Sequence, residues 1–92
     1  MNISWIIPSD DDPHRRDVQG EDRRKLLNAG FHLFTLELTP FEGGTRTWDV
    51  YAVKPISLDD SIRALNALAG DGASGAVRVL DANGNLLRES RR

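Results

Sequence analysis

The sequence predicts a small α+β domain, and three features support that fold class. Residues 57–70 have the apolar spacing of one amphipathic helix, with residues at both ends that mark where it starts and stops. Residues 31–38 and 45–54 alternate apolar and polar side chains, as half-buried strands do. Turns rich in glycine, asparagine and aspartate separate these segments. The apolar face of the helix needs a surface to cover, and the strands provide one.

The helix at 57–70 is the element around which we arrange the rest of the chain. Ser57 is a good N-cap, and Gly70 can adopt the left-handed conformation that ends a helix. Asp59 and Asp60 place negative charge at the positive end of the helix dipole. The apolar stripe expected to face the sheet consists of Leu58, Ile62, Leu65 and Ala69, widened by Ala64 and Leu68.

Length and composition indicate one soluble globular domain over residues 1–92. Apolar residues make up 39% of the chain and charged residues 28%, as in ordinary soluble domains. The absence of cysteine excludes disulfides and a thiolate nucleophile, and it fits a cytoplasmic location. The apolar run at 5–7 is too short for a signal sequence or a membrane span, so we expect no membrane contact. A formal net charge of -2 gives no global field that would attract nucleic acid.

The N-terminal part of the chain contains a predicted strand, a polar segment and a predicted helix. Residues 3–7 are strand formers followed by proline. Residues 9–20 are polar, with Val18 as their only aliphatic side chain, and the sequence does not determine whether they are ordered. Residues 21–29 predict a short helix that Gly30 ends and that only its last turn docks.

The order of the elements predicts how they are connected. Residues 31–38 and 45–54 should form a hairpin, and a further strand at 76–80 should follow the second helix. This order of strand, helix, two strands, helix and strand predicts the ferredoxin-like βαββαβ arrangement, with both helices on one face of an antiparallel sheet and a C-terminal β-hairpin extension. The alternative is an antiparallel meander with one packed helix. Residues 91–92 are expected to fray.

The C-terminal hairpin has two possible registers. A two-residue turn at Asn83 and Gly84 would place Leu80 opposite Leu87 and Arg78 opposite Glu89. A three-residue loop with Gly84 in the left-handed conformation would instead place Val79 opposite Leu87 and Arg78 opposite Arg88. The opposite charges of the first register favour it.

The sequence contains no arrangement of residues typical of catalysis, so we predict no catalytic residue, no cofactor and no enzyme activity. The cluster Asp10, Asp11, Asp12 and His14 matches no calcium-loop spacing and is expected to be a solvated acidic loop without metal. His32 should be a partly buried, hydrogen-bonded strand residue. The glycine clusters form neither a phosphate loop nor a dinucleotide fingerprint.

These exclusions favour a non-catalytic protein-interaction domain, such as a small prokaryotic or phage-type regulator or inhibitor. The partner would be another protein or a second copy of the chain. One alternative is a dimeric small-molecule-sensing domain, by analogy of fold. A weaker alternative is a nucleic-acid-binding module that stacks bases on the open face of the sheet.

The expected contact surface is the side of the sheet that two short helices leave uncovered. Its apolar residues should be at least half exposed and should bind the partner. Tyr51 is the preferred anchor, because its neighbours Thr47 and Asp49 would form a polar rim around it. The predicted partner-binding residues are Tyr51, Trp5, Phe31, Leu33 and Val53.

Overall fold

The structure is a computed structural model that describes residues 3–8, 12–70 and 74–91. Its strands and helices, in chain order, are β1 (Ile3–Ile7), β2 (His14–Asp17), α1 (Gly20–Asn28), β3 (His32–Thr39), β4 (Arg46–Ala52), α2 (Leu58–Ala69), β5 (Ala76–Leu80) and β6 (Leu86–Arg91). The Cα radius of gyration is 12.6 Å, close to the roughly 12 Å expected for one packed domain of this length. Within the described ranges, neither helix is long and apolar enough to cross a bilayer.

The six strands form one mixed sheet in the order β2-β1-β4-β3-β5-β6. The β1 and β4 pair is parallel, and the other four pairs are antiparallel. The α+β class and the C-terminal hairpin are therefore confirmed, but the predicted ferredoxin-like topology is wrong. In that arrangement the fourth of the predicted strands, here β5, would pair with β1, whereas β5 pairs with β3 at the other side of the sheet. The meander is not observed either, because β1 lies inside the sheet.

The place beside β1 is taken by β2, which comes from the polar segment at 9–20. All four β2 side chains are exposed, and two of them reach the helices. Arg15 donates to the carbonyl of Ala67 in α2 over 3.2 Å, and Arg16 lies 3.8 Å from Asp22 in α1. Each of these exposed contacts contributes little to stability. The charged side chains of β2 also discourage another strand from pairing with this edge of the sheet. Residues 9–11 lie outside the described residues.

The two helices lie on opposite faces of the sheet, which is the second departure from the predicted arrangement. Helix α2 covers one face, where its buried Ala64 and Leu65 belong to the larger core cluster. The sheet residues of that cluster are Phe34, Leu36, Leu38, Val50, Ala52, Val77 and Val79. Helix α1 covers only part of the other face, where Leu26 packs against a small cluster of Ile6, Val18 and Tyr51.

The ends of α2 are those that the sequence predicts, but its buried stripe is rotated. The Ser57 hydroxyl accepts a hydrogen bond from the Asp60 N–H over 3.0 Å, and Gly70 has a positive φ of 93°. Ser61 is buried, and its hydroxyl is satisfied there because it donates to the carbonyl of Ser57 over 2.8 Å. Leu58 is exposed, so its place in the predicted stripe is wrong. The side that meets the sheet is centred on Leu65.

The C-terminal hairpin combines the two predicted registers through a β-bulge. Gly84 has a φ of 85° and Leu80 lies opposite Leu86, as the three-residue loop requires. Beyond the bulge, Arg78 lies opposite Glu89, as the other register requires. The extra residue reconciles the turn chemistry with the charge pairing. Strand β6 continues through Arg91, so fraying is not observed there, and residue 92 lies outside the described residues.

Candidate functional site

A groove of about 490 Å³ lies at one end of β3, and we call it the β3 groove. Helix α1 provides one wall, the first residues of β3 form the floor, and the turn between β5 and β6 provides the other wall. Its lining residues are Arg23, Leu27, Phe31, His32, Leu33, Phe34, Pro55, Asp81, Ala82 and Asn83. The lining is mostly apolar with a few polar groups, which is the composition of binding sites.

The lining residues show that the β3 groove runs along the edge of β3 and not over one face of the sheet. Neighbouring side chains of a strand point to opposite faces. Leu33 faces α1 and packs in its cluster, whereas Phe34 faces α2 and belongs to the larger core. A single groove contacts both residues only at the edge of the strand.

The ladder between β3 and β5 explains why this edge is open. Strand β5 pairs with β3 only from Thr35 to Thr39, and beyond Leu80 its chain turns away into the hairpin. On its other side, β3 is paired with β4 from His32 onward. Within the described residues, the start of β3 therefore has a partner strand on one side only.

Charged groups of both signs surround the β3 groove. The guanidinium of Arg23 and the imidazole of His32 have no hydrogen bond or ion pair to another described residue. The carboxylate of Asp81 accepts hydrogen bonds from the backbone N–H groups of Asn85 and Asn83, both over 2.9 Å. The bond from the Asn85 backbone contributes most to a lowered pKa of Asp81, which keeps this carboxylate ionised. Arg23 places a cation on one rim and Asp81 places an anion on the other. The charges of the β3 groove therefore do not favour a ligand of either sign.

The structure corrects the prediction that Tyr51 is an exposed anchor. Tyr51 is only 1% exposed and packs with Ile6 and Val18 beneath α1. Its side of β4 is the one that the sequence predicts, because it lies opposite Leu33 and shares its face. The prediction is wrong because α1 covers the end of this face, whereas Thr47 and Asp49 lie toward its uncovered half.

Burial raises the pKa of the Tyr51 hydroxyl above its usual value, Asp49 raises it further, and Arg23 opposes the rise. A raised pKa in the folded state means that stability falls as pH rises beyond the unfolded-state pKa of about 10. Tyr51 is the only tyrosine of the chain, so tyrosinate absorbance reports it directly. We expect a titration midpoint above 10.0 in the folded protein, and a midpoint at or below that value would contradict the burial of this hydroxyl.

The other predicted partner-binding residues are half-buried and do not form one surface. Phe31 and Leu33 line the β3 groove and pack against the α1 cluster. Trp5 lies on the opposite face, where it packs against the α2 core. Val53 follows β4 and donates to the Ile7 carbonyl over 3.4 Å. Of these four residues, the structure brings Phe31 and Leu33 together, beside the buried Tyr51, and their roles in binding stay predictions.

The uncovered half of the α1 face carries charged side chains. Arg78 lies 3.6 Å from Glu37 and 3.8 Å from Glu89 across neighbouring strands. Trp48 is not on this face, because it packs on the α2 side beneath the guanidinium of Arg46, 4.8 Å from the ring centre. This half of the sheet therefore has ion pairs where a base-stacking platform would need rings.

The described part of the predicted acidic loop shows one local contact. His14 is exposed, and its Nδ1 lies 3.3 Å from the Asp12 carbonyl oxygen, whereas residues 10 and 11 lie outside the described residues. Among the residues that are described, no three His, Cys, Asp or Glu side chains form a group suited to a metal ion. His32 is exposed, so the expected burial of its imidazole is wrong.

Sequence reasoning missed the lining residues on α1 and on the turn between β5 and β6. The signal that could have found them is a difference in length. The predicted strand at 31–38 is longer than the predicted strand at 76–80, so any pairing of the two leaves part of the longer strand without a partner.

Comparison with known proteins gave no match: no family model matches the sequence, and no curated protein or solved structure matches it.

Proposed function

We propose that this chain is a non-catalytic protein-interaction domain that binds a protein partner at the β3 groove. The observation that carries the proposal is an apolar groove at an edge of an internal strand that is unpaired among the described residues. Exposed strand edges offer hydrogen-bonding groups to another chain, and proteins normally cover or charge them. The edge strand β2 carries such charges, whereas the floor of the β3 groove is apolar.

Leu27 supports the same surface as the contact site. Its side chain is 42% exposed on α1 and lines the β3 groove beside Phe31. A large aliphatic side chain that borders a groove contributes apolar contact area when a partner covers it. Such a surface would suffice for a regulator or inhibitor, because these proteins act by binding their partner and need no catalytic residues.

A small-molecule-binding domain is the second candidate, and the volume of the groove favours it. Ligand sites commonly measure about 300 to 1,000 Å³, and the β3 groove falls in that range. The strand edge distinguishes the two functions: a small ligand needs only the apolar floor, whereas a protein partner can also use the backbone groups of β3.

The test compares two leucines that are matched in exposure. Leu27 is 42% exposed and Leu58, on α2 and outside the β3 groove, is 45% exposed. Partners captured from the source cell are purified, and their affinities are measured for the unchanged chain, Leu27→Glu and Leu58→Glu. We expect Leu27→Glu to weaken binding at least about tenfold, or about 1.4 kcal/mol, because it places a charge in the apolar contact.

Leu58→Glu is the control and should leave the affinity within about twofold, since an exposed site outside the contact changes little. Both variants should keep the stability of the unchanged chain, which thermal unfolding checks. Equal affinities for the unchanged chain and Leu27→Glu, or equal losses in the two variants, would remove the β3 groove as the contact site.

A further inference from the structure

We infer that the partner enters the β3 groove as an extended peptide and pairs, backbone to backbone, with the free edge of β3 at Leu33. This inference rests on the proposed function and goes beyond it by naming the conformation and the chemistry of the bound segment. Addition of a strand to an open sheet edge is a general mode of peptide recognition.

The direction of the Leu33 backbone follows from the hairpin at the end of β5. The N–H of Asp81 donates to the carbonyl of Asn85 over 2.9 Å, so the backbone of Asp81 points toward β6. Backbone groups of successive strand residues point to opposite edges, so those of Leu80 point toward its partner Thr35 in β3. The same alternation within β3 directs the N–H and C=O of Leu33 toward the open edge.

The backbone groups of the residues next to Leu33 already have partners, so Leu33 is the residue that can pair with a peptide. The N–H of Phe31 already donates to the Leu26 carbonyl over 3.1 Å. Phe34, which follows Leu33 in the chain, lies opposite Val50 in the ladder with β4. A peptide that pairs with Leu33 would lie in line with β5 beyond the end of its ladder, where the turn at 81–83 limits its length.

The walls of the β3 groove match the two sides of an extended peptide. Side chains of a strand alternate between faces, so one set would contact Leu27 and Leu33 on the α1 side. The other set would contact Phe34 and Pro55 on the α2 side. Four residues of strand span roughly 13 Å, so a segment of about four residues, apolar on both sides, fills the available edge.

A random peptide library displayed on phage supplies the probe. It is selected on the unchanged chain and counter-selected on Leu27→Glu, so that the retained peptides depend on the β3 groove. The tightest peptide is synthesised with blocked ends and is N-methylated at one position at a time. We expect an affinity loss of at least about tenfold at one position and losses within about twofold at its two neighbours, because the Leu33 carbonyl accepts one peptide N–H and successive N–H groups of a strand point to opposite edges.

Amide hydrogen exchange of the unmethylated complex provides a second readout. The Leu33 amide should become at least about tenfold slower in exchange, because it gains an acceptor. The Leu36 amide, already within the paired part of β3, is the control and should be unchanged.

Three results would overturn the inference: N-methyl losses that are absent or that fall on consecutive positions, an unprotected Leu33 amide, or no peptide that depends on Leu27. The natural partner separates this failure from failure of the proposed function. A partner that requires Leu27 but leaves Leu33 unprotected would retain the function and remove strand addition, whereas a partner indifferent to Leu27 would remove the function itself.

Discussion

Replacing Tyr51 with alanine is expected to destabilise the domain by about 3 to 5 kcal/mol, the range for removal of a large buried aromatic side chain. Tyr51 is 1% exposed and joins Ile6 and Val18 in the cluster beneath α1. Alanine would leave a cavity in this cluster, which is the smaller of the two and has few side chains to collapse into the space. Chemical denaturation measures the loss, and Tyr51→Phe should retain most of the stability because it keeps the ring.

The matched control is another aromatic residue. Phe41 is 73% exposed in the loop between β3 and β4, so Phe41→Ala should change stability by less than about 0.5 kcal/mol. Similar losses at Tyr51 and Phe41 would mean that α1 does not cover the face of the sheet on which Tyr51 lies.

The elements of this fold that local chemistry determines were predictable from the sequence. A helix starts where a side chain satisfies its first free N–H groups, and Ser57 does so for α2. A strand buried on one side alternates its side chains, and β3 does so with Phe34, Leu36 and Leu38. These decisions involve residues within a few positions of one another, so no knowledge of the rest of the fold is needed.

The order of the strands and the faces of the helices depend on distant contacts and could not be read in the same way. Segment 9–20 has almost no apolar side chain, which argues against a buried strand, yet β2 is an edge strand that needs none. Its pairing with β1 occupies the place that the ferredoxin-like arrangement reserves for the last strand. Helix α1 has no fully buried residue, so its apolar pattern is too weak to specify the face it covers.

The candidate site was predictable only in part, for a related reason. Alternation correctly places Tyr51 and Leu33 on one face, and Phe31 and Leu33 do line the β3 groove. The groove itself exists because β5 ends at Leu80 while β3 continues past it toward His32. A site formed by the mismatch of two strands appears only once their register is known.

Gly75→Ala should be the second strongly destabilising change, with an expected loss of about 2 to 6 kcal/mol from backbone strain and overpacking together. The structure places Gly75 against the end of β3. Its φ is 141°, and a Cβ built there would lie 2.3 Å from the Thr39 carbonyl oxygen and 2.8 Å from the Pro40 Cα. Both are backbone atoms, so a side-chain rotation cannot relieve the contact, and the pairing of Ala76 with Thr39 would have to shift.

Gly84→Ala separates the two causes of this loss. Gly84 also has a positive φ, 85°, but a Cβ there would meet no atom of the described residues within 4 Å, so its substitution should cost only the left-handed conformation, about 1 to 2 kcal/mol. Chemical denaturation of the two variants gives the difference between their free energies of unfolding. Because the whole domain is expected to be stable by only about 5 to 15 kcal/mol, Gly75→Ala could unfold completely, and circular dichroism would detect this. A loss at Gly75 no larger than the loss at Gly84 would show that the backbone of Gly75 does not pass against Thr39, and the start of β5 would then be placed wrongly.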